Sequence, residues 1–422
     1  MSPRIDAPRF RSAEADPAPL GKPLEYSFSK RIAPNRFLKA AMSERLSSFD
    51  KDDLASRGIP SAELIALCER WGKGVWGQIL TGNVMIDPGH LEAAGNAIIP
   101  VDAPFHGPRF EAFKELATKA KANGSLIVAQ VSHPGRQVPE TIQNHPISAS
   151  AVQLIAPNMG AKYAMPREAT RADLDLVIEG FAHAAEFLEQ AGFDGIQLHG
   201  AHGYLIAQFL SPTTNQRTDQ YGGSLENRMR LVLEIAAAIK QRVSSRFVLG
   251  IKVNSVEFQD KGLSSDDAIL LCQALEKAQF DYVETSGGTY ESTGFRHMKD
   301  STRKRENFFI EFAARIAAPL TQTKVYTTGG FKTVGAMVDA LKDVDGVGIG
   351  RAAAQEPDLV LDILSGKVGG IMQLVLGEDD FIRTLGLAAY QIGQLGKGEE
   401  PVDGTNADAV DEVFSAMQAA SS

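Results

Sequence analysis

The sequence predicts a single (β/α)₈ barrel, in which eight parallel strands alternate with helices, and three observations support this prediction. Eight short apolar runs recur along the 422 residues, and stretches with helical periodicity separate them. The runs lack strict polar alternation, as expected of strands buried on both faces. Polar residues and glycines follow the ends of the runs, at the face where barrel enzymes hold their active sites. A doubly wound sheet is the competing architecture.

The predicted strands and helices follow one another in regular order. The strands are Arg36–Met42, Trp76–Val84, Leu126–His133, Phe193–His199, Phe247–Asn254, Phe280–Gly287, Lys324–Gly329 and Gly346–Arg351. The helices between them include Arg109–Ala122, Asp173–Ala191, Leu225–Gln241, Asp266–Ala278 and Thr333–Lys342. The residues that follow the strands are Ser43, Asn83, His133, His199, Asn254, Ser286, Gly329, Gly330, Gly350 and Arg351.

Two extensions are expected on a barrel that spans residues 26–370. Residues 1–25 are predicted to be a flexible extension, because disorder concentrates at chain ends. Residues 371–422 are predicted to form a helical extension, since the run DDFIRTLGLAAYQIGQLG after Gly377 is typical of a helix. That segment can pack on its own barrel or reach the active site of a neighbouring subunit, and the sequence leaves both arrangements open. A homodimer is therefore one expected assembly.

Composition excludes several classes of function. With 43 basic and 52 acidic side chains the formal net charge is −9, which disfavours nucleic acid and anionic membrane surfaces as partners. No apolar run is long enough to cross a bilayer, and the N-terminus has no apolar signal region. The only cysteines, Cys68 and Cys272, are too few for a disulfide framework or an iron–sulfur site. We therefore expect a cytoplasmic protein.

The densest group of reactive side chains is His199, His202 and Tyr204, where the fourth predicted strand ends. Two imidazoles three residues apart can point into one cavity and donate N–H groups to one ligand oxygen, with the tyrosine as a proton donor. Two structural histidines in a loop are the alternative, and a two-histidine metal site is a third. The metal site lacks an evident third ligand, so no metal is predicted.

Glycines and isolated polar residues mark the other strand ends. Gly329 with Gly330, and Gly350 with Arg351, follow the last two predicted strands, where barrels commonly bind phosphate through backbone N–H groups. Turns and helix caps are the alternative use of these glycines. Gln130 and Lys252 stand in apolar runs, where a buried amide or ammonium needs a partner. They can bind a heterocycle and a negative charge, or form a hydrogen bond and salt bridge that close the barrel.

Taken in order, these residues resemble the old yellow enzyme family of flavin-dependent NAD(P)H oxidoreductases. The likeness covers roughly residues 24–364, and its most specific stretch is IQLHGAHGYLIAQFLSPTTNQRTDQYGGSLENRMR, from Ile196 to Arg230. The resemblance implies FMN at the mouth of the barrel and NADPH or NADH as the electron donor. The residues that it assigns to the FMN site are Ala40, Ala41, Met42, Ser43, Asn83, Gln130, His199, Lys252, Gly329, Gly330, Gly350 and Arg351.

The resemblance also implies an ene-reductase. NAD(P)H reduces FMN, and flavin N5 then delivers hydride to Cβ of an α,β-unsaturated carbonyl or nitro compound. His199 and His202 match the pair that binds the substrate oxygen, and Tyr204 matches the donor of the proton to Cα. Lys252 stands where many members have arginine, and Ala40 and Ala41 replace a small residue followed by proline, so the substrate stays open. The alternatives are another substrate class, a non-catalytic flavin-binding protein, and a flavin-free aldolase based on Lys252.

Overall fold

Eight parallel strands close into a barrel in the computed structural model, which describes residues 5–12, 14–156, 160–256, 262–287, 302–377 and 380–421. The strands are β1 (Phe37–Lys39), β2 (Gln78–Met85), β3 (Leu126–Ser132), β4 (Gly195–Gly200), β5 (Val248–Val256), β6 (Tyr282–Gly287), β7 (Lys324–Thr328) and β8 (Gly346–Ile349). Each strand pairs with the next, and β8 pairs with β1 to close the ring. The predicted (β/α)₈ barrel is confirmed.

Helices connect the strands on the outside of the barrel. They are α1 (Ala62–Lys73), α2 (Pro108–Ala120), α3 (Arg171–Gln190), α4 (Leu225–Lys240), α5 (Ser265–Lys277), α6 (Thr302–Ala317), α7 (Val334–Ala340) and α8 (Leu359–Leu364). Helix α3 begins two residues before the predicted Asp173, because Thr170 and Asp173 form a reciprocal capping box. Ser264 likewise caps α5 by accepting a hydrogen bond from the backbone N–H of Asp267.

Tyrosines fill the amino-terminal end of the barrel interior. Tyr26, Tyr282 and Tyr326 are fully buried there, and the Tyr26 hydroxyl donates to Gln78 Oε1 at 2.6 Å. A Cβ on Gly250 would lie 2.2 Å from the Tyr282 ring, so this strand position has room only for glycine. The tyrosines close the lower end of the barrel and leave the carboxyl end of the strands for ligand chemistry.

The N-terminal segment differs from the predicted flexible extension. Residues 24–25 pair antiparallel with residues 32–33 across the lower end of the barrel, and Leu20 is fully buried. Further upstream, Arg9 donates to Glu356 Oε1 at 2.5 Å and to the carbonyl of Gly370 at 2.8 Å. Buried apolar and ionic contacts thus join these described residues to the barrel.

Two further helices follow the barrel, α9 (Phe381–Gly396) and α10 (Ala407–Ser421). Helix α9 packs against α1 and against the short helix Ala352–Gln355, and Gln391 Nε2 donates to Gln355 Oε1 at 2.6 Å. In the described part of the chain, the C-terminal segment thus packs on its own barrel. None of the helices in the described ranges is both long and apolar enough to span a bilayer.

Candidate active site

His199 and His202 lie together where β4 ends. Their rings are nearly perpendicular, with centroids 5.2 Å apart. His202 has a φ of 55°, a left-handed conformation that is uncommon outside glycine. Its backbone N–H donates to Asn254 Oδ1 at 3.1 Å, which ties the loop to β5. The structure therefore brings together the histidine pair that the sequence singled out.

Hydrogen bonds leave each imidazole with one N–H for a ligand. Nδ1 of His199 accepts a long hydrogen bond from the backbone N–H of Ala201 at 3.4 Å, which places the proton of the neutral ring on Nε2. Nε2 of His202 lies 2.9 Å from Ser286 Oγ. When the serine donates in that contact, the proton of His202 is on Nδ1. Ser286 thus controls which nitrogen of His202 can donate.

Both histidines are neutral at physiological pH. Burial, together with the smaller effect of the nearby positive charge of Lys252, lowers the pKa of His202 to about 3. Burial also holds the pKa of His199 well below its ordinary range, with contributions from His202 and Lys252. The pair can therefore donate N–H groups to a ligand oxygen without adding positive charge to the site.

The low pKa of His202 predicts acid-sensitive stability. An unfolded histidine takes up a proton as the pH falls below about 6.5, whereas the folded His202 stays neutral until the pH nears 3. The free energy of unfolding should therefore fall between pH 7 and pH 5, and His202 should contribute about 2 kcal/mol of that loss. Urea unfolding at both pH values measures it. The His202→Gln variant should lose less stability than the parent, and an equal loss in both would contradict the assignment.

Tyr204 stacks against His199, with ring centroids 4.1 Å apart and an angle of 27° between the planes. Its hydroxyl accepts a hydrogen bond from Asn83 Nδ2 at 3.0 Å. A register irregularity in β2 between Leu80 and Asn83 places Asn83 opposite Gln130 on β3. The tyrosine hydroxyl, the two imidazoles and the predicted flavin ligand Asn83 therefore lie in one group at the carboxyl ends of β2 and β4.

The segment Ala40–Ser43 continues β1 across the barrel mouth. The N–H of Ala40 donates to the carbonyl of Ile349 at 2.9 Å, and Ser43 Oγ donates to Glu92 Oε2 at 2.9 Å. The segment lies against β2 at Gly82, where an added Cβ would be 2.3 Å from the carbonyl oxygen of Met42. This close approach requires glycine, and it fixes Ala40, Ala41, Met42 and Ser43 beside Asn83, whose Nδ2 lies 3.4 Å from Ser43 Oγ.

Gln130 and Lys252 belong to one buried polar network inside the barrel. Gln130 Nε2 donates to Gln197 Oε1 at 2.7 Å, and Gln197 Nε2 donates to Glu284 Oε2 at 2.8 Å. The other oxygen of Glu284 pairs with Lys252 Nζ at 3.0 Å. Lys252 therefore forms a salt bridge, which was one of its two predicted roles. Lys252 and Glu284 lie on adjacent strands, below the barrel mouth.

The glycine pairs lie on neighbouring strands at the same end of the barrel. Gly329 and Gly330 have φ values of 152° and 76°, which favour glycine, and they follow β7. After β8, no atom of the described residues, apart from the two chain neighbours, lies within 4 Å of the position that a Cβ on Gly350 would take. Arg351 donates to Thr384 Oγ1 and lies over the ring of Phe381 at 5.5 Å. At this end of the barrel the backbone at Gly350 is therefore accessible to a ligand. The guanidinium of Arg351 lies nearby, positioned by Thr384 and Phe381 of α9.

A further group, Asp87, His90 and His133, has ligand atoms within 4.8 Å of one another. His90 Nδ1 lies 2.8 Å from Asp87 Oδ2, and His133 Nδ1 accepts from the N–H of Gly135 at 3.0 Å. The buried Nε2 of His90 has no hydrogen-bond partner among the described residues. The absence of a metal stays a prediction.

Sequence reasoning missed Gln197 and Glu284 as parts of the site. Glu284 is fully buried in β6, and Gln197 is fully buried in β4. The sequence contains a signal for both residues. Lys252 and Gln130 were selected because each is a charged or amide side chain within an apolar strand. The same criterion selects Gln197 in the run FDGIQLH and Glu284 in FDYVETSG.

Comparisons with known proteins place this site in a family. The profile of the NADH:flavin oxidoreductase / NADH oxidase family matches residues 23–368. The NADH-dependent flavin oxidoreductase nadA of Aspergillus parasiticus is 52% identical over 407 residues, which cover 96% of this chain and 91% of that protein. The chain belongs to this family. It is an FMN-dependent oxidoreductase that takes electrons from NADH or NADPH, and the resemblance to old yellow enzymes is confirmed.

Two further comparisons have lower sequence identity. The NADH-dependent flavin oxidoreductase iccE of Talaromyces variabilis is 34% identical over 346 residues, which cover 77% of this chain and 81% of that protein. Among solved structures, morphinone reductase in complex with tetrahydroNAD has a TM-score of 0.66 and 22% identity, and the match covers 83% of this chain and 91% of that one. At this identity the structural likeness shows a shared fold.

The buried polar atoms at the barrel mouth fit FMN. Asn83 Oδ1 and Asn254 Nδ2 are buried without a hydrogen-bond partner in the described part of the chain. Buried polar atoms of this kind are normally satisfied, so a polar ligand beside them is expected. The open space at Gly350 suits a phosphate. The residues present therefore match a ligand with a polar heterocycle at one end and an anion at the other.

Proposed function

We propose that this enzyme reduces the activated C=C bond of α,β-unsaturated carbonyl or nitro compounds. The observation that carries the proposal is the convergence of two neutral imidazoles and one tyrosine hydroxyl. His199 lies 5.2 Å from His202 and 4.1 Å from Tyr204, measured between ring centroids. An electrophile with an oxygen acceptor and an adjacent double bond requires both kinds of group.

The histidine pair binds and polarises the substrate oxygen. Both rings are neutral, so each donates through an N–H group and neither loses its proton to the substrate. Hydrogen bonds to the oxygen draw electron density away from Cβ and stabilise the negative charge that develops as hydride arrives there. The N–H of Ala201 favours the tautomer of His199 that this role requires, and Ser286 would favour that of His202 when its hydroxyl donates.

Tyr204 supplies the proton to Cα. Asn83 Nδ2 donates to its hydroxyl oxygen at 3.0 Å, which stabilises negative charge on that oxygen as the proton leaves. Stacking on His199 fixes the ring beside the oxygen-binding pair. One hydride at Cβ and one proton at Cα give the saturated product.

FMN, when bound, supplies the hydride chemistry, because it accepts hydride from NAD(P)H and donates it to the second substrate. Gln130 and Lys252 would hold its pyrimidine edge, and Ala40–Ser43 with Asn83 would line the ring. Gly329, Gly330, Gly350 and Arg351 would hold its phosphate. NADH is the expected electron donor, since the relatives from Aspergillus parasiticus and Talaromyces variabilis are both named as NADH-dependent.

Isotope labelling of the product tests the proposal. The holoenzyme, anaerobic 2-cyclohexenone and NADH carrying deuterium at the transferred position should give cyclohexanone with deuterium at Cβ. The same reaction in D₂O with unlabelled NADH should place deuterium at Cα. Cyclohex-2-enol, which lacks the carbonyl, serves as the matched control and should not react.

Two results would contradict the proposal. Cyclohexenone that stays unreduced while oxygen reoxidises the flavin would favour another substrate class for the same FMN site. Cofactor deuterium found at Cα would mean that the hydride does not add at Cβ.

A further inference from the structure

A row of buried hydrogen bonds crosses the barrel from β3 to β6. Gln130 Nε2 donates to Gln197 Oε1 at 2.7 Å, and Gln197 Nε2 donates to Glu284 Oε2 at 2.8 Å. Thr328 Oγ1 donates to Glu284 Oε1 at 2.6 Å, and Lys252 Nζ lies 3.0 Å from the same oxygen. Gln197 and Glu284 are completely buried. Glu284 is therefore the acceptor at the end of the row.

The carboxylate fixes the direction of every hydrogen bond in the row. An ionised Glu284 can only accept, so the amide of Gln197 must turn its NH₂ group towards it. The amide oxygen of Gln197 then faces Gln130, which must also present its NH₂ group. The Oε1 of Gln130 is left over, and in the described part of the chain no hydrogen bond reaches it. The row thus presents a hydrogen-bond acceptor at Gln130.

The same carboxylate compensates the charge of Lys252. The side chains of Lys252 and Glu284 are 5% and 0% exposed, and their charged atoms are 3.0 Å apart. In a buried site opposite charges at this distance interact strongly and contribute little net charge to their surroundings. A ligand above Lys252 therefore experiences a cation whose field Glu284 largely cancels.

We propose that Glu284 is a positioning residue for FMN. Through Gln197 it turns the amide of Gln130 so that Oε1 can accept from the N–H of the flavin pyrimidine edge, and through Lys252 it keeps the reduction potential of the bound flavin low. Reduction adds negative charge to the ring, and an uncompensated lysine would favour that charge. The inference rests on the proposed placement of the ring beside Gln130 and Lys252.

The Glu284→Gln variant tests the charge effect. It keeps the shape of the side chain and leaves Lys252 uncompensated. The equilibrium for reduction of bound FMN should shift at least tenfold towards the reduced form, which is ~30 mV for a two-electron couple. Anaerobic titration against a reference dye measures the shift. Thr328→Val is the matched control, because it removes a hydrogen bond to the carboxylate and keeps its charge. In the Thr328→Val variant, the equilibrium for reduction of bound FMN should shift by less than threefold.

The Gln197→Met variant tests the direction of the row independently. It keeps Glu284 and Lys252 paired but frees the amide of Gln130, so the dissociation constant for FMN should rise several-fold while the reduction potential changes little. Flavin fluorescence in a titration of apoprotein measures this constant, and it remains informative if Glu284→Gln does not fold.

Different failures identify different errors. The charge role of Glu284 is wrong if Glu284→Gln shifts the equilibrium for reduction of bound FMN by less than tenfold. It is also wrong if Thr328→Val shifts this equilibrium as much as Glu284→Gln does. If Gln197→Met leaves the dissociation constant unchanged, the orienting role is wrong. If Gln130→Leu and Lys252→Met change neither the affinity for FMN nor its potential, the ring does not lie beside these residues, and the proposed site itself fails.

Discussion

Replacing both His199 and His202 with alanine is expected to slow reduction of an enone by a factor of ~10² or more, the scale seen when donors to a developing oxyanion are lost. The two rings are neutral and lie 5.2 Å apart, so both can donate to one substrate oxygen. Stopped-flow absorbance separates the two half-reactions. Reduction of the flavin by NADH should stay within a few-fold of the parent, since hydride donation to FMN requires no oxyanion donor.

The single variants of this pair provide the internal control. His202→Ala alone should have a smaller effect than the double variant, because His199 keeps its Nε2 proton. Unchanged enone turnover in the double variant would contradict the role of the pair. Loss of bound flavin in the double variant, measured from its absorbance, would instead assign the histidines to cofactor binding.

The second large effect is expected for Tyr204→Phe. Loss of a general acid typically costs ~10²- to 10⁴-fold, and this cost should fall on the half-reaction with the enone alone. Phenylalanine keeps the stacking on His199, so the binding of substrate should change little. The solvent isotope effect on that half-reaction should also change, because the proton would then come from water.

Tyr390→Phe serves as the matched control for this substitution. Tyr390 is 37% exposed on α9, and the variant should behave as the parent in both half-reactions. A Tyr204→Phe variant that slows only the reduction of flavin by NADH would show that Tyr204 acts on the nicotinamide and not on the enone.

The sequence predicted the fold well because the strands of a parallel barrel are buried on both faces. Each apolar run overlaps one strand, and β3 and β5 begin within a residue of their predicted positions. The ends were less predictable where tertiary contacts decide them. Strand β1 is only Phe37–Lys39, since the following residues leave the ladder to cross the barrel mouth. Helix α3 begins earlier because its cap lies at Thr170.

The candidate site was predictable where a residue type is unusual for its position. His199, Lys252 and Gln130 are polar residues in or at the end of apolar strands, and the structure places each at the carboxyl end of the barrel. The partners of these residues were not predictable from spacing, because Glu284 and Ser286 lie on a separate strand that only the folded barrel places beside β5. The burial of Leu20 was not predictable from the sequence, because the residues around it are mostly polar or proline.

The most direct test of the proposed function is the visible spectrum of the purified holoenzyme under anaerobic conditions, first with NADH and then with a cyclic enone. The oxidised flavin absorbance should disappear with stoichiometric NADH and return when the enone is added, with one equivalent of saturated ketone formed. A flavin that NADH bleaches and the enone fails to restore would contradict the proposed ene-reductase activity.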